Sequence, residues 1–171
     1  MVFRIRKYGD PVLEKKCDPV TGFNSPELDE LVANMFETMY AHKGVGLAAP
    51  QVGLSTRLTV IDVSAGEDEL QKLVLINPEI LHKEGSQIGE EGCLSIPGFR
   101  EDVKRALKAK VRAQNSKGET FEITGEELLA RALQHEIDHL NGILFLSRIS
   151  MLKRDLIRRK IRKLVKAGEW S

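Results

Sequence analysis

Two histidines four residues apart, in His135-Glu136-Ile137-Asp138-His139, constrain this chain more than any other segment. On an α-helix, side chains at i and i+4 lie one above the other, so both imidazoles can reach one metal ion. The flanking sequence reads as that helix. Thr124 and Glu127 have capping-box spacing, Leu128 to Leu140 continue the helix, and Asn141-Gly142 is a stop signal. Leu128, Leu129, Ala132, Leu133 and Leu140 make it apolar around two of the chain's four histidines. Glu136 can lean on a metal-bound water as general base. The bland alternative is two surface histidines among surface carboxylates, and the capped apolar helix argues against it.

A catalytic metal site needs a third protein ligand and an open position. The longer zincin patterns place that ligand downstream, but position 145 is Phe. The acidic residues after His139 are Asp155, on a basic helix, and Glu169, near the end. The third ligand is therefore expected upstream. Cys93, in Glu90-Glu91-Gly92-Cys93-Leu94-Ser95-Ile96-Pro97, is the best candidate. A thiolate is a good soft ligand, and Gly92 allows close backbone approach. His42 and His82 are weaker alternatives, read as solvent-exposed. Cys17 reads as a small buried apolar residue. Two cysteines are too few for a disulfide framework, and a Cys17–Cys93 bridge is not expected.

The rest of the chain places this helix in an α+β fold. A first helix is capped by Ser25, starts at Pro26 and carries Leu28, Leu31, Val32, Met35, Phe36, Met39 and Tyr40 at helical period. Leu58–Val63 reads as a strand, and so does Leu73–Ile76, stopped by Asn77-Pro78. Leu107, Ala109, Val111 and Ala113 alternate with basic residues, and the turn Asn115–Gly118 leads into Phe121–Ile123, which predicts a hairpin. A third helix spans Met151 to Lys166, with apolar Leu152, Leu156, Ile157, Ile161, Leu164 and Val165. Short antiparallel-type strands between separated helices favour α+β over a parallel βαβ sheet. The 171 residues fit one domain with a sizeable core.

Charge and hydropathy exclude several classes. With 26 basic and 25 acidic residues the chain is not a general polyanion binder. Residues 151–171 nevertheless hold eight basic side chains against two acidic ones, leaving 18 basic and 23 acidic elsewhere. That helix is either a solvated polar face or a polyanion contact. No apolar run approaches the roughly 18 residues of a membrane span, and the N-terminal residues lack a signal-peptide core. A cytoplasmic protein with no membrane and no sequence-specific nucleic-acid partner is expected. The segment Gly44-Val45-Gly46-Leu47-Ala48-Ala49-Pro50-Gln51 lacks the Gly-Lys-Ser/Thr ending of a phosphate loop. Its glycines let the backbone run beside an added strand such as a peptide. Gln51 brings a neutral amide donor suited to a developing oxyanion.

These segments together resemble the three motifs of the peptide deformylase family, in that family's order and spacing. The motifs are Gly44–Gln51, Glu91-Gly92-Cys93-Leu94-Ser95 and His135–His139, and the likeness covers nearly the whole chain, including Met35–Tyr40. The resemblance implies one catalytic domain over residues 1–171, with a basic C-terminal helix, 151–171. It implies antiparallel sheets wrapped around a central metal-binding helix, and removal of the formyl group from the N-terminal formyl-Met of nascent peptides. It implies Cys93, His135 and His139 as ligands of one divalent metal, Fe²⁺ natively, with Zn²⁺, Ni²⁺ or Co²⁺ possible on isolation. Glu136 would be the base, and Gln51 and the Leu94 N–H would hold the oxyanion. Substrate would meet Val45, Gly46, Glu91, Arg100, Leu128, Arg131 and Ala132. For the basic helix the resemblance implies the ribosome surface as partner.

Two rivals are weighed against this reading. A zinc endopeptidase shares the helix motif but wants the missing downstream ligand and an extended cleft. A binding protein with a structural metal wants a fourth protein ligand, and no convincing one is found. Arg131 departs from the apolar pocket expected for the methionine side chain. Burying an unpaired guanidinium is prohibitive, so its stem is expected to flank the pocket while its head reaches water at the rim. The alternative is an Arg131 that tilts away from the substrate.

Overall fold

The computed structural model describes residues 1–170. In chain order its main elements are α1 (Pro26–Ala41), β1 (Gly46–Ala48), β2 (Leu58–Ile61), β3 (Leu73–Glu84), β4 (Gln87–Gly92), β5 (Arg100–Arg105), β6 (Lys108–Gln114), β7 (Thr120–Glu126), α2 (Glu127–Leu140) and α3 (Met151–Lys166). Every strand pair is antiparallel, in a five-stranded sheet ordered β1-β2-β3-β6-β7 and a two-stranded sheet β4-β5. The arrangement is α+β, as expected.

Helix α1 starts where the sequence places it. Ser25 Oγ accepts from Leu28 N at 3.1 Å, and Pro26 occupies the first turn, where its missing N–H has no partner to lose. Its buried stripe, Leu28, Met35, Phe36 and Met39, packs with Leu47, Leu58, Val60 and Ile76 of the sheet. Met35 and Met39 are fully buried, so truncating either to Ala costs about 2–5 kcal/mol.

The predicted hairpin is β6-β7, with Val111 opposite Ile123 and the alternating residues Ala109, Val111 and Ala113 buried. One strand departs from expectation. Asn77-Pro78 does not stop β3, which continues to Glu84 through an irregularity in register between Ile76 and Glu79. Asn77 takes a left-handed φ of 51°, and its side chain accepts from Val20 N and donates to Val20 O and Gln114 Oε1. Pro78, which can donate no ladder bond, sits in that bulge. The β4-β5 hairpin, built largely from polar and charged residues, is not predicted by the sequence pattern.

Helix α2 is the centre of the fold. All eleven residues from Ala130 to Leu140 are buried, and the helix packs against β1, β2, β6 and β7. Its predicted capping box does not form. Thr124 stays in β7 opposite Lys110, and Glu126 precedes the helix without a side-chain cap. The strand runs directly into the helix, so tertiary partners replace a local cap. Glu127 N donates to Leu107 O at 2.9 Å, and Gln87 Nε2 donates to Glu127 O at 2.8 Å.

Helix α3 buries a narrower stripe than its pattern implies. Ile157 and Ile161 reach the core, whereas Leu152, Leu156 and Val165 stay exposed. No helix of the described residues is long and apolar enough to cross a membrane.

Candidate metal centre and its cleft

The buried face of α2 stacks His135 on His139, with ring centroids 4.9 Å apart and the two Nε2 atoms at 3.2 Å. Cys93 follows the last residue of β4, and its Sγ lies 3.3 Å from His139 Nε2. One ligand atom from each of the three residues falls within a 4.8 Å cluster. A thiolate with two imidazoles is a donor set for a borderline or soft divalent ion, so the residues present fit a metal. His42 and His82 are both exposed and take no part in it. Cys17 is buried, and both cysteines are free thiols.

His135 is oriented from behind. Its Nδ1 lies 2.8 Å from Glu91 Oε1. An ionised carboxylate only accepts, so Nδ1 carries the proton and Nε2 is left to face the cluster. Glu91 also accepts from Arg105 Nε at 2.8 Å, Arg105 Nη2 at 3.0 Å and Arg131 Nη1 at 2.6 Å. Arg105 continues to Asp138 at 2.7 Å, and Asp138 takes two bonds from Arg148, at 3.1 and 2.9 Å. The result is a mostly buried ladder of alternating charge, Arg131–Glu91–Arg105–Asp138–Arg148. Burial alone would push the Glu91 carboxyl up, but Arg105 and His135 outweigh it and hold it well below the usual carboxylate range. The two imidazoles are driven apart. Burial opposes charge on both. For His135, Cys93 and Glu91 overcome it and raise the pKa, while for His139 the neighbouring His135 adds to it and lowers the pKa.

Glu136 has a different setting. It is buried, its only hydrogen-bond partner among the described residues is Thr59 Oγ1 at 3.4 Å, and no arginine touches it. Burial raises its carboxyl to about 7, with His135 and the Thr59 hydroxyl pulling the other way. The chain makes room for it at Gly46, where a β-carbon would sit 2.6 Å from Glu136 Oε1. That close approach is what requires glycine in β1.

Gln51 is fully fixed. Its Oε1 accepts from Ala48 N at 3.0 Å, so its NH₂ turns inward, donating to Ser95 Oγ at 3.1 Å and standing 3.5 Å from Cys93 Sγ. These groups open on a cleft of about 740 Å³. Val45, Gly46, Leu94, Arg100, Leu128 and Ala132 line it with Cys93, His135 and Glu136, and β1 is an edge strand of its sheet. Arg100 is exposed at the rim, bonded to Glu90 and lying so close over Gly92 that a β-carbon there would meet its guanidinium at 2.8 Å.

Arg131 corrects the sequence reading. It borders the cleft, but its head neither reaches water at the rim nor tilts away. It is 7% exposed, with Nη1 bound to Glu91 and to Val103 O at 2.9 Å. The burial penalty that favoured the rim applies to an unpaired charge, and Glu91 supplies the pair. Glu91, expected to touch substrate, borders the cleft and is bonded to His135 and two arginines. The sequence reading gave Arg105, Thr59 and Ser95 no role in the site, although Ser95 stands in the Cys93 motif. It also left Asp138 without a role, although Asp138 stands three residues after His135 in the same motif.

Comparison with known proteins adds the identity of the frame. Residues 2–155 match the family model described as polypeptide deformylase, which leaves most of α3 outside the match. The chain is 63% identical over 170 residues to the peptide deformylase of Acidobacterium capsulatum, covering 99% of each. It is 57% identical over 145 residues to that of Caldanaerobacter subterraneus subsp. tengcongensis, covering 85% of this chain and 87% of the relative. The crystal structure of a peptide deformylase from Legionella pneumophila superposes with a TM-score of 0.91 at 46% identity, over 100% of this chain and 99% of that one. The one from Thermus thermophilus superposes at 0.87 and 44%, over 96% of each. With the same fold and nearly the same length as these relatives, the chain belongs to the polypeptide deformylase family, metal-dependent hydrolases that remove the formyl group from the N-formylmethionine of nascent proteins.

Proposed function

We propose that Cys93, His135 and His139 hold a single divalent cation, natively Fe²⁺, and that the cleft beside them receives the formyl-Met end of a nascent chain. The convergence of three ligand atoms next to a buried carboxyl group held by one long bond from Thr59 carries this reading. Such a cation makes water a nucleophile at neutral pH and polarises a carbonyl oxygen. Glu136 takes the proton of the attacking water and hands it to the nitrogen of the leaving amine, a task matched by a carboxyl raised toward neutrality. The NH₂ of Gln51 and the backbone N–H of Leu94 donate to the formyl oxygen as it becomes negative. Losing one such donor costs about 3–4 kcal/mol of barrier. The peptide lies against the free edge of β1, at Val45 and Gly46, with Leu128, Ala132 and the stem of Arg131 beside its methionine and Arg100 at the rim.

Residues 1–171 act as one catalytic domain in the cytoplasm. The exposed basic residues Arg159, Lys160, Arg162, Lys163 and Lys166 of α3 face the ribosome surface. Ribosome binding then weakens steeply with salt and is lost when these five become Gln, while small-peptide activity survives. Unchanged co-sedimentation would remove that part of the reading.

The decisive experiment is metal analysis of anaerobically purified protein with a formate-release assay. Stoichiometric iron, release from formyl-Met peptides and none from blocked internal peptides are expected. Zinc alone under those conditions would overturn the metal assignment. Activity of the iron form decays in air, since a cysteine thiolate is oxidisable, and persists after Ni²⁺ substitution.

A further inference from the structure

The C-terminal residues return to the wall of the cleft. Gly168 takes a left-handed φ of 72° after α3, and Glu169 N closes on Leu164 O at 2.8 Å, turning the chain back onto the body. Trp170 then donates from Nε1 to Tyr8 O at 2.9 Å. Its ring meets Phe99 edge-on, with centroids 6.2 Å apart and planes at 63°. Phe99 lines the cleft, and Trp170, Phe99, Tyr8 and Cys93 all pack against one apolar cluster containing Ile96, Val103 and Ile157.

The contacts continue toward the metal centre. Tyr8 N donates to Ser95 O at 2.8 Å, and Ser95 Oγ is the group that holds the Gln51 amide at 3.1 Å. Helix α3 grips the same tyrosine a second time, through Arg158 Nε to Tyr8 Oη at 3.0 Å. Two short paths therefore leave Trp170, one through Phe99 to the cleft surface and one through Tyr8 and Ser95 to Gln51.

We propose that Trp170 is a positioning residue for substrate binding, fixing the Phe99 wall of the cleft without touching substrate itself. The inference rests on the cleft being the formyl-peptide site. Removing the indole frees the Phe99 ring to leave its place, so substrate and transition state lose the same contact. That effect falls on KM rather than kcat.

Trp170 is the only tryptophan, so its emission reports on this joint without a label. The test uses full-length Ni²⁺-loaded enzyme, a formyl-Met-Ala-Ser substrate and its deformylated product Met-Ala-Ser as the binding probe. Saturating product is expected to shift the wild-type emission. Trp170→Ala is expected to raise KM about 2- to 10-fold with kcat nearly unchanged, the worth of one aromatic edge contact. Trp170→Phe, which keeps a ring but loses the bond to Tyr8 O, falls between. A packing role alone would lower the melting temperature and leave KM where it was. An unshifted emission at saturation, or a wild-type KM in Trp170→Ala, would overturn the proposal. Should Trp170→Ala not fold, the emission shift and Trp170→Phe decide. A wild type that releases no formate would instead bring down the reading of the cleft, and this inference with it.

Discussion

Glu91 and Glu136 are both buried, and they face opposite nitrogens of one imidazole, His135. Their surroundings make them different reagents. Glu91 accepts from two arginines and His135 and is locked as an anion. Glu136 has one long bond from a threonine, and burial lifts its carboxyl to about 7. The side of the site rich in cations fixes geometry. The side poor in them is left able to exchange a proton. The difference lies in the neighbours, because the two carboxyl groups are chemically the same.

The largest effect is expected at Glu136. Glu136→Gln should keep stoichiometric metal and lose about 10²–10⁴-fold in formate release. His139→Ala or Cys93→Ala should lose both metal and activity. Loss of metal from Glu136→Gln, measured by elemental analysis, would mean that Glu136 is a ligand and not the base. The opposite side predicts the opposite pattern. Glu91→Gln leaves Arg105 and Arg131 facing a neutral amide, so stability should fall by about 3–5 kcal/mol in denaturant titration. Metal affinity should weaken about 10- to 100-fold as His135 loses its orienting partner. Normal metal affinity with low stability would confine Glu91 to packing.

A subtler change sharpens the placement of Glu136. Gly46→Ala forces the carboxylate out of its present position, and kcat should drop about 10²-fold with metal content unchanged. Full activity would show that β1 does not set where the proton is taken. The smallest effect is expected at Arg131, whose head is tied inside the protein. Arg131→Ile should cost about 1 kcal/mol and lower Tm by about 2–4 °C. The preference between acidic and basic residues after the formyl-methionine should be identical in wild type and variant. A changed preference at low salt would return Arg131 to the substrate.

Much of this molecule is legible residue by residue. The i, i+4 histidines, the apolar periods of α1 and α2, and the alternation of β6 are local consequences of helix and strand repeats. So they can be read before any fold is known. Choosing Cys93 rested on what was missing downstream of His139, and Gln51 on its amide chemistry. Other features depended on partners far away in sequence. The capping box at Thr124 yields because Leu107 and Gln87, brought alongside by the sheet, satisfy the helix start. Asn77-Pro78 ends no strand because Val20 and Gln114 hold the bulge.

The charged residues mark the boundary best. Composition and spacing state that Glu91, Arg105, Arg131 and Asp138 are present, and a charge alone is expected at the surface. Whether it is buried depends on its having a partner, and these partners are contributed by β4, β5 and α2, between 14 and 40 residues apart. Residue order and spacing suffice for the ligand-bearing helix, the candidate thiolate, and the amide and carboxylate reagents. Which carboxylate is pinned and which is left to move a proton emerges in the fold, because electrostatic environment is a property of neighbours in space and not of neighbours along the chain.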